Sequence, residues 1–320
     1  MEPPLDRSTT WPYVDGEPGL FHYARNAHPV GVEAERQLGE LEGGDALLFS
    51  SGMGATTAVV LALLQPGQTI ALAQDAYYGT GVLLTELERW GLRHVLFDQA
   101  GPPPDADLVW IEAPSNPLLT MPDFEAAAAH PGLVVCDATA ATPVNLHPLE
   151  RGCDLVVHSA TKYLGGHHDV LLGAVVAKSA EHASRLLEFR TRSGIVAAPD
   201  PAWLLLRGLQ TLEVRVHRQS ETAAELARRL ADHAKIESVR YPGFGGLLSF
   251  DVADGAAARR VETSTRLIVN ATSLGGVRST MESRHRWEGA RVPEGLLRLS
   301  VGLESVAELW RDLERALEQA

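Results

Sequence analysis

The sequence predicts an α/β protein with a mostly parallel central sheet, followed by a smaller C-terminal α+β domain. Three observations predict it. Short apolar runs alternate with helical stretches between Thr69 and Ala177, the pattern of repeated strand–helix–strand units. Beyond His233 the alternation gives way to a few separated strands between helices. The 320 residues leave room for a large core and about two domains.

Residues 1 to about 30 scatter Pro, Gly and aromatic residues without periodicity and read as an extended arm that needs another surface to order it. Val30–Leu41 has helical spacing and stops at Gly43-Gly44. Ser50-Ser51-Gly52-Met53-Gly54 then opens an apolar helix over Thr56–Leu64. The expected strands are Thr69–Ala73, Leu92–Phe97, Asp107–Glu112, Gly132–Asp137, Asp154–His158 and Leu171–Ala177, with helices at Gly81–Trp90 and Asp123–Ala129. Ala202–His233 reads as one long helix bridging two domains. Leu247–Val252, Leu267–Ala271 and Leu296–Val301 read as strands, and Ala256–Glu262 and Ser305–Gln319 as helices. The division that follows is an arm with its helix (1–42), a large α/β domain (43–205) and a small domain that includes the linking helix (206–320).

A net charge of −13 without a basic run argues against nucleic acid as a partner. The N-terminus has no apolar core of a signal peptide, and Val59–Leu64 is too short to span a bilayer, so no membrane partner is expected. Cys136 and Cys153 lie in or beside apolar runs and read as reduced core residues of a cytoplasmic protein.

Chemistry concentrates where strands end, because ligands of parallel sheets sit outside the carboxyl ends. Those positions hold Asp75 and Tyr77, Glu112 to Pro117, Asp137 and Thr139, and Ser159 to Lys162. The chain has three lysines, Lys162, Lys178 and Lys235, among many arginines. A lysine can deprotonate and attack an aldehyde, which arginine cannot. By itself Lys162 reads equally as a solvated lysine after a strand. Asp137 ends an apolar strand, where a carboxylate is costly unless paired. It would suit a protonated pyridine nitrogen; the lesser alternative is a cap for the next segment. The Gly52-Met53 helix start offers free amides to a phosphate, with Ser159 and Thr161 as hydroxyl donors, although such starts also serve packing alone. Tyr77 could stack on a ring or simply pack. A metal site at His158, His167, His168 and Asp169 is disfavoured, because the spacing matches no metal motif and falls inside the lysine segment.

Seven segments in order carry a resemblance. They are Ser50-Ser51-Gly52-Met53, Asp75-Ala76-Tyr77-Tyr78-Gly79-Thr80, Glu112-Ala113-Pro114-Ser115-Asn116-Pro117, His158-Ser159-Ala160-Thr161-Lys162-Tyr163-Leu164-Gly165-Gly166-His167, Leu206-Arg207-Gly208-Leu209-Gln210-Thr211-Leu212, Ser273-Leu274-Gly275-Gly276-Val277 and Leu297-Arg298-Leu299-Ser300-Val301-Gly302-Leu303-Glu304. Together they resemble the Cys/Met-metabolism (transsulfuration) family of pyridoxal-phosphate (PLP) enzymes, which includes cystathionine γ-synthase, cystathionine lyases and methionine γ-lyase. The resemblance implies the fold of type I PLP-dependent transferases, aspartate-aminotransferase-like. It implies that Lys162 joins the cofactor aldehyde and shuttles protons, that Asp137 partners the pyridine nitrogen and that Tyr77 stacks on the ring and serves in acid–base steps. Gly52, Met53, Ser159 and Thr161 match the phosphate cradle, and Thr139 is counted with the cofactor contacts. Tyr23 and Arg25 match a Tyr-x-Arg motif that reaches the neighbouring subunit's phosphate. Asn116, Ser273 and Arg298 match groups near the substrate carboxylate.

The expected activity is β/γ-elimination or γ-replacement on a sulfur-containing or O-acylated amino acid, by a homo-oligomer of at least two subunits, a tetramer by family resemblance. Departures cluster at the substrate end. Thr272 stands where the family often has Glu, Arg278 replaces another frequent Glu, Tyr78-Gly79 replaces two glycines, and a segment near Gly243 is missing. They keep open a related enzyme making a γ-substituted amino acid in specialised metabolism, or a non-catalytic relative.

Overall fold

In a computed structural model, which describes residues 3–320, twelve strands form two sheets. Met1 and Glu2, the start of the expected arm, lie outside the described residues. The strands are β1 (Asp45–Phe49), β2 (Thr69–Ala73), β3 (Arg93–Phe97), β4 (Leu108–Glu112), β5 (Leu133–Asp137), β6 (Leu155–His158), β7 (Gly173–Ala177), β8 (Ser238–Arg240), β9 (Leu247–Asp251), β10 (Val269–Asn270), β11 (Thr280–Ser283) and β12 (Leu296–Ser300). The helices are α1 (Pro29–Glu42), α2 (Gly52–Leu63), α3 (Tyr78–Leu87), α4 (Phe124–Ala128), α5 (Thr142–Asn145), α6 (Ala180–Ser193), α7 (Pro199–Leu209), α8 (Leu212–Ala231), α9 (Gly255–Ser264), α10 (His285–Glu288) and α11 (Val306–Leu317).

The larger sheet has the order β1-β7-β6-β5-β4-β2-β3. Strands β6, β5, β4, β2 and β3 are parallel, and β7 alone runs antiparallel to both its neighbours. Because β1 is antiparallel to β7 and β7 to β6, β1 points the same way as the parallel set. The carboxyl ends of β1, β2, β4, β5 and β6 therefore open on one edge of the sheet, where crevices of parallel sheets form. Strands β4, β6 and β7 are buried along their whole length, which is what their continuous apolar runs require. The smaller sheet, β10-β11-β12-β9-β8, is antiparallel except for β10–β11. A second apolar cluster lies between it and α8, α9 and α11.

The mostly parallel sheet and the smaller α+β unit stand as read from the sequence. Three local readings change. Strand β1 is not among the expected strands; its five residues carry too little periodicity to separate from the helix that follows. Strands β8 and β11 were missed for the same reason of length. The single helix over 202–233 is two helices, broken at Gln210-Thr211. The break has a local cause. The buried Arg215 guanidinium donates to the Gly208 carbonyl at 2.7 Å and to the Tyr163 carbonyl at 2.8 Å, while its Nε donates to Thr211 Oγ1 at 3.0 Å. It thus takes over a carbonyl at the end of α7 and ties it to the Lys162 loop.

Gly208 lets α7 cross that loop closely. A Cβ there would lie 2.5 Å from the Leu164 carbonyl oxygen and 2.6 Å from that of Gly165, distances only a shift of backbone could relieve. Gly208→Ala is expected to cost about 1–3 kcal/mol of unfolding free energy and to displace the Lys162 loop. Denaturant unfolding of the variant checks this, and unchanged stability would show that the crossing has slack.

Candidate active site

A cavity of about 410 Å³ lies at the carboxyl edge of the larger sheet, closed on its far side by the smaller sheet's loops. Its size is that of a small-molecule site. Lys162, Tyr77, Asp137, Thr139, Gly52, Met53, Ser159, Thr161, Asn116, Ser273 and Arg298, all expected from sequence, line it together. Tyr23 and Arg25 do not. Arg25 donates to the Thr191 carbonyl at 2.7 Å and stacks on Tyr23, 5.3 Å from its ring centre, on a different face.

The lysine follows β6 directly, in a loop pinned by Arg215 and by Thr161. Thr161 Oγ1 donates to the Leu172 carbonyl (3.2 Å) and accepts from the Leu172 amide (3.0 Å). That hydroxyl proton is already committed, so serving an anion would require it to turn. Lys162 Nζ donates to Ser273 Oγ at 3.0 Å. Burial, then the positive charge of Arg298, holds its amine down to about 8. Ser273 sits at φ +80°, a left-handed conformation rare for a residue with a Cβ. Two contacts hold it there, the Lys162 bond through its hydroxyl and one from Arg298 Nη2 to its carbonyl at 3.0 Å. Strain of this kind gathers at functional sites.

Asp137 and Glu112 end neighbouring strands in register. Burial raises the Asp137 carboxyl, against the lowering effect of Thr139, whose amide donates to Oδ1 at 2.9 Å. Burial and the nearby Asp137 push Glu112 well above the ordinary carboxylate range. Glu112 Oε2 accepts from the Tyr77 amide at 2.5 Å and so fixes the backbone that presents the Tyr77 ring. The phenol of Tyr77 is pushed up to about 12, mainly by burial.

At the other end, Ser51 caps α2 through Gly54, leaving the Gly52 and Met53 amides to open the helix. A Cβ on Gly52 would come within 2.9 Å of Ser159 Cβ and 3.0 Å of its Oγ. Only glycine lets those amides approach the end of β6. Helix amides, a buried carboxylate and a depressed amine on one wall fit an anionic pyridine aldehyde: phosphate at α2, ring nitrogen at Asp137, aldehyde at Lys162.

The opposite wall surrounds Arg298, expected from sequence, with groups that sequence reasoning missed. Arg298, in the middle of β12, donates from Nη1 to Asn116 Oδ1 (2.9 Å) and from Nη2 to Glu282 Oε1 (2.7 Å). Arg284 donates to the same Glu282 oxygen at 2.7 Å and to Glu288 Oε1 at 2.8 Å. Arg291 pairs with Glu288 at 3.4 Å and donates to the carbonyls of Gln74 (2.6 Å) and Ala76 (3.1 Å), in the loop leading to Tyr77. A chain of ion pairs thus runs from Arg298 to the Tyr77 loop. Glu282, Arg284, Glu288 and Arg291 fall between the quoted segments, where the sequence carries no signal of a cluster. Among the described residues no group of three or more His, Cys, Asp or Glu is placed to hold a metal ion. No helix among them is long and apolar enough to cross a membrane.

The family described as Cys/Met metabolism PLP-dependent enzymes matches residues 1–318. The L-methionine gamma-lyase of Streptomyces avermitilis is 41% identical over 98% of this chain and 84% of its own length. The cystathionine gamma-synthase of Mycobacterium bovis is 38% identical over 95% and 88%. Among solved structures, cystathionine gamma synthase from Xanthomonas oryzae pv. oryzae, in complex with cystathionine, superposes with a TM-score of 0.94 at 35% identity, covering 99% of this chain and 93% of that one.

The depressed Lys162 amine has a direct readout. Only the neutral amine attacks an aldehyde, and its fraction rises tenfold per pH unit below its pKa. Capture of added PLP by the apo-protein, followed by visible absorption, should climb to about pH 8 and level there. A rate still climbing towards pH 10 would mean burial does not hold the amine low. Lys162→Ala should abolish the band.

Proposed function

This chain belongs to the Cys/Met-metabolism family of PLP-dependent enzymes, and we propose that it catalyses β/γ-elimination or γ-replacement on a sulfur-containing or O-acylated amino acid. One observation carries the proposal: Lys162, Asp137, Tyr77 and Arg298 face a single cavity, the first three on one wall and the guanidinium on the other. The relatives support it by their names, which include both a synthase and a lyase of this chemistry.

When bound, the cofactor supplies an electron-poor ring that takes up the negative charge left at the substrate Cα. The chain's residues do the rest. Arg298, with Asn116 and Ser273 around it, binds the α-carboxylate through its planar fork. That anchoring orients the Cα–H towards Lys162. Lys162 Nζ, whose pKa lies near working pH, can take the Cα proton and give it back elsewhere on the substrate. Ser273 Oγ, 3.0 Å from that nitrogen, holds it in place between transfers. Tyr77, with its phenol pushed up to about 12, stays protonated at neutral pH and can donate to a departing group. Asp137 would hold the ring nitrogen of the bound cofactor, and a proton there would favour the charged form of its buried carboxylate.

The same family logic assigns Tyr23 and Arg25 to a second copy's cofactor phosphate. Their distance from their own chain's cavity supports that assignment, as does the exposure of Tyr13, Val14, Leu20 and Tyr23 along the arm. The assembly is then a homo-oligomer with shared sites, a dimer at minimum and a tetramer by analogy. The two buried free cysteines fit a reducing cytoplasm. The expected residues gathered in one cavity favour the catalytic reading over a non-catalytic relative.

Holo-protein given L-cystathionine, L-methionine, L-cysteine and homoserine esters should release 2-oxoacid and ammonia or form a new thioether. An intact visible band with no product from any of them would overturn the assignment. Removing residues 1–26, which spares His28 as the cap of α1, should weaken cofactor retention several-fold in gel filtration. Unchanged retention would count against arm exchange.

A further inference from the structure

We infer that Tyr78 acts through Tyr77, returning a proton to it each time it has donated one, so that the two phenols relay protons from water to the departing group. The inference rests on the proposed reaction and gives a role to one of the departures from the family's segments.

Tyr78 stands where the resemblance expects glycine. It opens α3, lines the cavity and keeps part of its surface in water. Its ring lies 4.9 Å from that of Tyr77, centre to centre, with the planes tilted by 57°. The next residue makes that closeness possible. A Cβ on Gly79 would come within 2.5 Å of Tyr77 Cε1, so the Tyr77 ring folds back over the first turn of α3, beside the Tyr78 ring. The bond from the Tyr77 amide to Glu112 holds the backbone of that turn. After burial, the Tyr78 phenol is the largest influence keeping the Tyr77 hydroxyl protonated, through its charge and its hydrogen bond.

A donor held in this way is left in difficulty once it has acted. When Tyr77 gives its proton to a departing sulfur, its O–H bond breaks and a phenolate remains where burial disfavours charge. The proton must be replaced before the next turnover. The guanidinium of Arg284 does not give up protons, and Glu282 and Glu288 hold it. Glu112 is buried, so a proton it gave could not be restored from water. Lys162 Nζ is bonded to Ser273 and serves the substrate Cα. Tyr78 meets both needs. Its hydroxyl proton moves to the Tyr77 oxygen, and solvent returns one to Tyr78. One solvent proton ends on the departing group and both phenols are restored. A glycine at 78 would leave the space to water, which can bridge the same gap less directly. A phenylalanine would fill the space and carry no proton.

The test compares S-methyl-L-cysteine and β-chloro-L-alanine as substrates of the holoenzyme. Both lose a small group from the same carbon, but methanethiolate needs a proton and chloride leaves without one. In Tyr78→Phe the rate on S-methyl-L-cysteine relative to β-chloro-L-alanine should fall at least tenfold. Tyr78→Gly should lie between Tyr78→Phe and wild type, the reverse of the order that lost packing would produce. Tyr77→Phe combined with Tyr78→Phe should be no slower on S-methyl-L-cysteine than Tyr77→Phe alone, because Tyr78 has no separate route to the substrate. Binding of non-reacting L-norleucine, read by visible absorption, should stay within about threefold in Tyr78→Phe. An unchanged rate ratio in Tyr78→Phe, a slower Tyr78→Gly, additive losses in the double variant or a tenfold loss of norleucine affinity would overturn the inference. If no variant folds, wild type decides: heavy water should slow S-methyl-L-cysteine more than β-chloro-L-alanine, and equal slowing would overturn it. Failure of the reaction assignment looks different, because wild type with its visible band intact would then release 2-oxoacid from neither.

Discussion

Two guanidiniums meeting on one carboxylate oxygen set the terms for this site. Arg298 and Arg284 are both almost fully withdrawn from water, and both lean on Glu282. Taking such charges into a protein interior costs several kcal/mol per ion unless geometry and hydrogen bonds compensate. Here Asn116, the Ser273 carbonyl and Glu288 supply that compensation. Burial lowers the Arg298 pKa to about 10, with Arg284 adding to the effect. The same field reaches across the cavity and helps to hold the Lys162 amine low. The buried guanidiniums on one wall and the amine on the other are therefore a single electrostatic arrangement.

The opposite wall depends on close approach rather than charge. Gly52 lies against Ser159, Gly208 against the carbonyls of the lysine loop, and Gly275 against the Tyr163 amide. Each lets backbone come where a Cβ would block it. The recurring glycines of the motifs are thus the mechanical half of the site. They let the helix start, the lysine loop and the Ser273 loop converge within reach of one small molecule.

Much of this was legible in the sequence, because parallel strands announce themselves as apolar runs and place chemistry at their ends. Lys162, Asp137, Tyr77 and Asn116 all stand at or just beyond such ends. Arg298 and Ser273 were found only through resemblance, since an arginine inside a strand looks like any structural ion pair. Glu112 was visible as a strand-end acid, but its bond to the Tyr77 amide depends on a register no single sequence displays. The Glu282-Arg284-Glu288-Arg291 chain stayed hidden because its order comes from β11 folding against β12, which sets Glu282 opposite Arg298. The break between α7 and α8 was hidden for a similar reason. It depends on Arg215 reaching a loop about fifty residues earlier, and helical periodicity alone runs straight through it.

The odd strand of the larger sheet bears on how the molecule is born. β7 lies between β1 and β6, and a Cβ on its first residue, Gly173, would sit 2.0 Å from the Ser51 carbonyl oxygen. The amides at the start of α2 leave the ribosome early, yet the strand that braces them arrives more than a hundred residues later. Contacts this distant in sequence close slowly. Ser273, which steadies the amine, emerges later still. A nascent chain therefore cannot bring both walls of the crevice together until translation is nearly over.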